Sequence, residues 1–265
     1  MARIGVAATA PFGADVLERL ASHHEILFCL TRADRPAGRG RRIASPPAKA
    51  VAQRLGIDVV QPERLGEEVA LSAPTIVACA YGLIVPPVLL ERHLWLNVHP
   101  SLLPRWRGAA PVERAIMAGD VETGVTIIRL VEELDAGPIA TQEAFSVGAN
   151  DDAGAVYDRA AGLAVELLDD VIADPVFRPQ SSEGVTYAAK LTPADRHLDL
   201  AAPAEELERR VRALSPHIGA RATLDGRSLT VWRAHVEDGR LAPDEVQPDG
   251  GRRMSYAAFL RGLRA

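Results

Sequence analysis

Asn97, His99 and Asp135 are the residues of this 265-residue chain whose types and spacing could do chemistry. The first two stand two apart in Leu96-Asn97-Val98-His99-Pro100. If that run is a strand, alternation puts both side chains on one face near its carboxyl end. An amide N–H can donate to a developing oxyanion and an imidazole can carry protons, a pair suited to acyl chemistry. The same pattern also arises where a buried histidine only satisfies polar neighbours. Asp135 follows the apolar run Val125–Val131 and stands in Glu132-Glu133-Leu134-Asp135-Ala136-Gly137. A carboxylate there can hydrogen-bond an imidazole and fix its tautomer. It can also do no more than close the loop as an Asx turn.

The elements that must position these residues are legible as alternating patterns. Arg3–Ala8, Glu25–Leu30, Thr75–Ala80 and Leu94–His99 are short apolar runs, with a further short run at Asp58–Gln61. Helical spacing covers Ala14–Ser22, after a break at Pro11-Phe12-Gly13, and Ala48–Leu55. Continuous apolar strands between amphipathic helices indicate a mostly parallel sheet covered on both faces, the α/β, Rossmann-like class. Ligands of such sheets sit at the carboxyl ends of the strands, near a switch point. Ile139–Val147 reads as another strand and Ala153–Ile172 as a long helix. Beyond a proline-bearing polar stretch come a helix at Pro203–Leu214 and short strands turning at Asp225-Gly226 and Asp238-Gly239. These predict a small α+β or all-β appendage. The expected division is a domain at 1–174, a linker at 175–190 and a small domain at 191–265.

Composition narrows the function classes. With 48% hydrophobic residues the chain can bury a large core, and its net charge of -5 does not advertise a nucleic-acid binder. Residues 191–265 hold 12 basic residues, all Arg, against 11 acidic ones, while residues 1–190 hold 18 against 24. An Arg-rich tail on an acidic body suits an anionic partner, although a genome rich in Arg codons gives the same pattern. Cys29 and Cys79 lie in apolar runs and read as buried strand residues, with no disulfide or zinc spacing. No apolar stretch approaches ~20 residues and no leader pattern opens the chain, so a cytoplasmic protein is expected.

The stretch from Leu96 to Gly137 resembles the folate-dependent formyltransferase family. Within it, residues 101–111 (Ser-Leu-Leu-Pro-Arg-Trp-Arg-Gly-Ala-Ala-Pro) and the run Gly119-Asp120 with Glu122–Thr126 are similar to the branch that acts on methionyl-tRNA. Asp34-Arg35-Pro36-Ala37-Gly38-Arg39-Gly40, with Arg41 and Arg42, resembles that branch's basic loop. Tyr81-Gly82-Leu83-Ile84-Val85-Pro86 resembles its folate-site loop. Val185–Lys190 and Arg252–Ser255 resemble its linker and closing helix. The resemblance implies that Asn97, His99 and Asp135 form the catalytic set. It implies that Ser101, Leu102, Leu103 and Pro104, with Tyr81, Gly82, Leu83, Ile84, Val85 and Pro86, border the folate. Arg35, Arg39, Arg41 and Arg42 would contact the tRNA through phosphates, although the same residues also suit an ordinary solvated loop. The cosubstrate implied is 10-formyltetrahydrofolate, with no metal, and the acceptor is initiator methionyl-tRNA. The α-amine would attack the formyl carbon directly, with no covalent enzyme intermediate. A monomer without membrane contact is expected.

Three departures from the family pattern stand out. Pro100 replaces a usual Gly directly after His99, and Ala8-Thr9-Ala10-Pro11 carries one residue more than the usual Gly-Thr-Pro turn. The family's small C-terminal OB-like β-barrel is expected here in shortened form. The chain runs from Trp232–Asp238 to Gln247–Met254 through Gly239–Val246 alone. Competing readings are a formyltransferase for a nucleotide-linked amino sugar, one for a glycinamide ribonucleotide, and a non-catalytic paralogue that binds folate or tRNA.

Overall fold

The computed structural model describes residues 1–37 and 42–263. The chain forms two compact units. The first comprises Met1–Arg107, Gly124–Ala144 and Asp158–Thr186; the second comprises Gly108–Thr123, Phe145–Tyr157 and Tyr187–Ala265.

In chain order the strands up to the middle of the molecule are β1 (Arg3–Ala8), β2 (Glu25–Leu30), β3 (Arg35–Ala37), β4 (Arg42–Ala44), β5 (Val59–Val60), β6 (Thr75–Cys79), β7 (Leu94–His99), β8 (Arg107–Gly108), β9 (Glu122–Arg129) and β10 (Ile139–Ser146). Seven of them form one sheet in the order β10-β9-β7-β6-β1-β2-β5. β1 runs parallel to β2 and β6, β2 to β5, and β6 to β7, whereas β9 lies antiparallel to β7. The successive crossovers diverge on either side of β1, so its carboxyl end is a switch point. β1, β2 and β7 have the bounds read from sequence, because strands buried on both faces are written as continuous apolar runs.

The helices α1 (Pro11–Leu20), α2 (Pro47–Arg54), α3 (Pro87–Arg92) and α4 (Pro111–Ala118) all open on proline. Pro11 is therefore the first residue of α1 rather than a break before it. A first-turn residue has no intrahelical use for its N–H, and proline's fixed φ already suits the helix. Gly13 is required by packing: a Cβ there would overlap the carbonyl oxygen of Cys79 on β6. One face of the sheet carries an apolar cluster of Phe28, Leu30, Ile76, Ala78, Tyr81, Leu89 and Trp95, with the Trp95 indole donating to Leu89 O at 2.9 Å. Burial pushes the Cys29 thiol up to about 12 and the Cys79 thiol well above its ordinary value, so both strand cysteines stay neutral. The segment Asp34–Arg42, expected as a basic loop, contains β3 and the first residue of β4, two short strands that pair antiparallel.

Later elements are α5 (Ala153–Val171), β11 (Tyr187–Ala188), α6 (Ala204–Leu214), β12 (Ala220–Leu224), β13 (Arg227–Glu237), β14 (Arg240–Pro248), β15 (Met254–Ser255) and α7 (Tyr256–Leu263). The last four strands make an antiparallel sheet in sequence order. Asp225-Gly226 joins β12 to β13 and Asp238-Gly239 joins β13 to β14 as two-residue turns, with φ of +48° and +71°, and +49° and +70°. Positive φ at both positions gives the twist that an antiparallel hairpin needs. The expected shortened barrel is thus this four-stranded sheet, with Gly239–Val246 supplying most of β14. Leu207, Val211 and Leu214 of α6 pack with Leu229, Val231, Val246 and Phe259 as its core. A neighbouring cluster in the same unit joins Val112 and Ile116 to Ala153, Val156 and Ala213.

Candidate active site

β7 carries Asn97 and His99 to the carboxyl end of the sheet, between Ala78 of β6 and Ile128 and Thr126 of β9. His99 is 4% exposed. Its Nε2 lies 2.8 Å from the carbonyl oxygen of Trp106, and its Nδ1 lies 3.6 Å from Oδ2 of Asp135. Both ring nitrogens thus face oxygen, and a ring protonated on both satisfies both. Asn97 Nδ2 donates to Asp135 Oδ1 at 3.5 Å. The structure therefore brings Asp135, distant in sequence, to Asn97 and His99, so that both side chains stand around its carboxylate. The 3.5 and 3.6 Å separations are at or beyond the limit of a hydrogen bond. The Asn97 amide, held so loosely, can be redirected to a substrate oxygen without breaking a strong bond, whereas His99 Nε2 must exchange its 2.8 Å bond to Trp106 O for one to that oxygen.

Pro100 has a local explanation. The Ser101 N–H donates to His99 O at 2.9 Å, closing a three-residue turn centred on Pro100. Proline's φ near -65° suits the inverse form of such a turn, and the N–H it lacks is not the one used. Beyond it, the segment Ser101–Pro104 is tied down by Thr126, which stands opposite His99 in the β7–β9 register. Thr126 Oγ1 donates to Ser101 O at 2.6 Å and accepts from Leu103 N at 3.1 Å and Gln142 Nε2 at 2.7 Å. That is the full capacity of a hydroxyl. Gln142 Nε2 also donates to Leu103 O at 2.9 Å, and Ser101 Oγ donates to Arg105 O at 2.7 Å.

Asp135 occupies a left-handed backbone conformation, φ +47°, near the end of the loop between β9 and β10. The Gln180 side-chain amide donates to the carbonyls of Asp135 and Gly137, each at 2.7 Å. Its own oxygen accepts from Arg107 Nη2 at 2.8 Å and Nε at 3.3 Å. Arg107 is buried and also reaches Glu133 at 3.4 Å. None of Thr126, Gln142, Arg107 and Gln180 was assigned a role from sequence. Thr126 and Arg107 lie inside the stretches that carry the family resemblance, which was the available signal; the two glutamines have none.

The other expected binding residues are spread more widely. The segment Tyr81–Pro86 leaves β6, the sheet neighbour of β7. Its ends are buried and its middle is open: Tyr81 and Val85 face the core, whereas Leu83 is 39% and Ile84 89% exposed. The Tyr81 hydroxyl is buried with no hydrogen-bond partner among the described residues, and burial pushes its pKa up to about 12. Arg35 is exposed on β3, after β2, which stands three places from β7 in the sheet. Asp34 anchors the base of this segment. It accepts from Lys49 at 2.8 and 3.0 Å, Gln61 at 2.9 Å and Ser45 at 3.2 Å, and the Gln61 and Lys49 bonds hold its carboxyl below the usual range. Arg39 and Arg41 lie outside the described residues, and Arg42 begins β4. Among the described residues no group of three or more His, Cys, Asp or Glu is placed to hold a metal ion, and no helix is long and apolar enough to cross a membrane.

The sequence profile of the family described as formyl transferase matches residues 3–172, well over half of the chain. The chain belongs to the formyl transferase family. A second profile, formyl transferase C-terminal domain, matches residues 190–244. This formyl transferase is 41% identical over 302 residues to methionyl-tRNA formyltransferase of Halorhodospira halophila, covering 99% of this chain and 97% of the relative. It is 44% identical over 300 residues to that of Xanthomonas axonopodis pv. citri, covering 99% and 98%. Alignments of 300 residues or more against a chain of 265 mean that the relatives carry stretches with no counterpart here. Among solved structures, the fold is shared with an N-formyltransferase of Helicobacter canadensis in complex with folinic acid and dTDP-3-aminofucose. That match has a TM-score of 0.68 at 17% identity, covering 96% of this chain and 99% of the other. HypX of Aquifex aeolicus in complex with tetrahydrofolic acid matches with a TM-score of 0.67 at 16% identity, covering 98% of this chain and 46% of the other. This formyl transferase is accordingly an enzyme of the formyltransferase class.

Proposed function

We propose that this enzyme moves the formyl group of 10-formyltetrahydrofolate to the α-amino group of initiator methionyl-tRNA. The observation that carries the reading is identity of 41–44% over nearly the whole chain to enzymes named for that reaction. The meeting of Asn97, His99 and Asp135 at the carboxyl end of β7 supports it. Asn97 and His99 are the catalytic donors, and Asp135 holds both in place. The neutral amine attacks the formyl carbon, a nitrogen–carbon bond forms, and the carbonyl oxygen takes up charge. Asn97 Nδ2 and the His99 imidazole turn from Asp135 and Trp106 to that oxygen. The amine then loses a proton, the bond to the folate nitrogen breaks, and that nitrogen takes up a proton. The Asp135 carboxylate, facing His99 Nδ1, orients the ring through the step.

Ser101–Pro104 and Tyr81–Pro86 border the folate, the first as a fixed turn and the second through its exposed Leu83 and Ile84. Arg35, Arg39, Arg41 and Arg42 meet tRNA phosphates. Residues 1–174 act as the catalytic domain, 175–190 as the linker and 191–265 as the shortened tRNA-binding part of a cytoplasmic monomer. The test is formyl transfer from 10-formyltetrahydrofolate to initiator and elongator methionyl-tRNA, with a nucleotide-linked amino sugar alongside. Selective transfer to the initiator tRNA is expected. Transfer to the sugar and to neither tRNA would overturn the proposal.

A further inference from the structure

We infer that Gln180 is a positioning residue for the catalytic loop, acting through the backbone of Asp135 and Gly137. Sequence reading placed Gln180 in a linker, yet its backbone neighbourhood is fixed. Arg178 exchanges two hydrogen bonds with Ile139 at the start of β10, at 2.7 and 2.9 Å. That pairing sets Gln180 beside the loop that precedes β10.

The orientation of its amide is dictated by chemistry. Arg107 is buried and can only donate, so the amide oxygen of Gln180 must face it. The NH2 group is thereby turned to the loop, where both its hydrogens are used, on Asp135 O and Gly137 O. The loop needs such a hold. Asp135 has φ +47°, a left-handed conformation that aspartate tolerates but that is costlier than the ordinary right-handed one. Gly137 is also pressed against β9: a Cβ there would overlap Arg129 O. Gln180 therefore grips the two carbonyls on either side of Ala136 and fixes where the Asp135 carboxylate stands relative to Asn97 and His99. Nothing in this arrangement needs Gln180 to touch substrate.

The inference rests on the formyl-transfer reading for its catalytic consequence, so its test has one readout that does not. The informative variant is Gln180→Glu. A carboxylate still accepts from Arg107, which keeps that buried cation paired, but it has no hydrogens for the two carbonyls. We expect faster amide hydrogen exchange across residues 130–137 in Gln180→Glu, by about tenfold or more, with the melting temperature little changed. In the transfer assay kcat falls about tenfold or more while KM for 10-formyltetrahydrofolate moves less than about threefold. Combined with Asp135→Asn, Gln180→Glu causes no further loss, because both act through one carboxylate. Unchanged exchange, wild-type kcat in Gln180→Glu, or losses that multiply in the double variant each overturn the inference. If the wild-type enzyme transfers no formyl group, the functional reading fails, and the exchange comparison still decides whether Gln180 holds the loop.

Discussion

The two segments assigned to the folate differ in how they are held. Ser101–Pro104 follows His99 without a break, and its backbone is bonded through Thr126 and Gln142. Tyr81–Pro86 is pinned only at its ends, with Tyr81 and Val85 in the core and Ile84 almost fully exposed. The first has the construction of a wall that must not move while bonds change at His99, since misplacement by an ångström is costly to rate. The second has that of an apolar cover, whose contribution is area rather than geometry. A tied segment should therefore govern kcat and an untied one KM.

Replacing residues along this contrast should give effects of declining size. His99→Ala sets the upper limit: kcat falls about 10²–10⁴-fold while folate binding persists. Activity within a few-fold of wild type would remove His99 from the chemistry. Thr126→Val keeps the shape but strips Ser101 O, Leu103 N and Gln142 of a partner. A loss of about 1–3 kcal/mol in urea unfolding is expected, with kcat reduced about tenfold. A stable, fully active Thr126→Val enzyme would erase the distinction between the segments. Ile84→Ala should raise KM for the folate about three- to tenfold and leave kcat and stability alone; a change confined to kcat would reverse the assignment. Tyr81→Phe is the smallest change, because the hydroxyl it removes is buried and has no bonding partner among the described residues. Stability should rise or stay within about 1 kcal/mol, checked by thermal melting with KM measured in parallel. A larger loss would mean that the hydroxyl holds the segment after all.

What the sequence disclosed follows from what is written locally. β1, β2 and β7 were legible to the residue because burial on both faces leaves an unbroken apolar run. α3 was missed because its six residues are too few to show a helical period, and β3 and β4 because a polar, proline-bearing pair has no apolar alternation. Pro11 was misread because proline breaks a helix interior yet favours its first turn. At the site, Asn97 and His99 could be paired from strand alternation, whereas Asp135 as their partner was one of two readings of its loop until the family resemblance joined it to them. No spacing rule links residues brought together by a loop turned back at φ +47°. The bonds from Thr126, Gln142 and Gln180 to backbone carbonyls leave no compositional trace. They depend on where distant main chain happens to pass.

The apolar cluster of Val112, Ile116, Ala153, Val156 and Ala213 draws on three separated stretches of chain. Its consequence is for inheritance and for engineering. A recombination point near residue 190, where the two profile matches part, transplants Ala213 without the side chains that were shaped around it. The tail of this enzyme is therefore not a detachable suffix. Grafting it between relatives will work only when the matching helical faces travel with it, or when host and donor already agree at those positions.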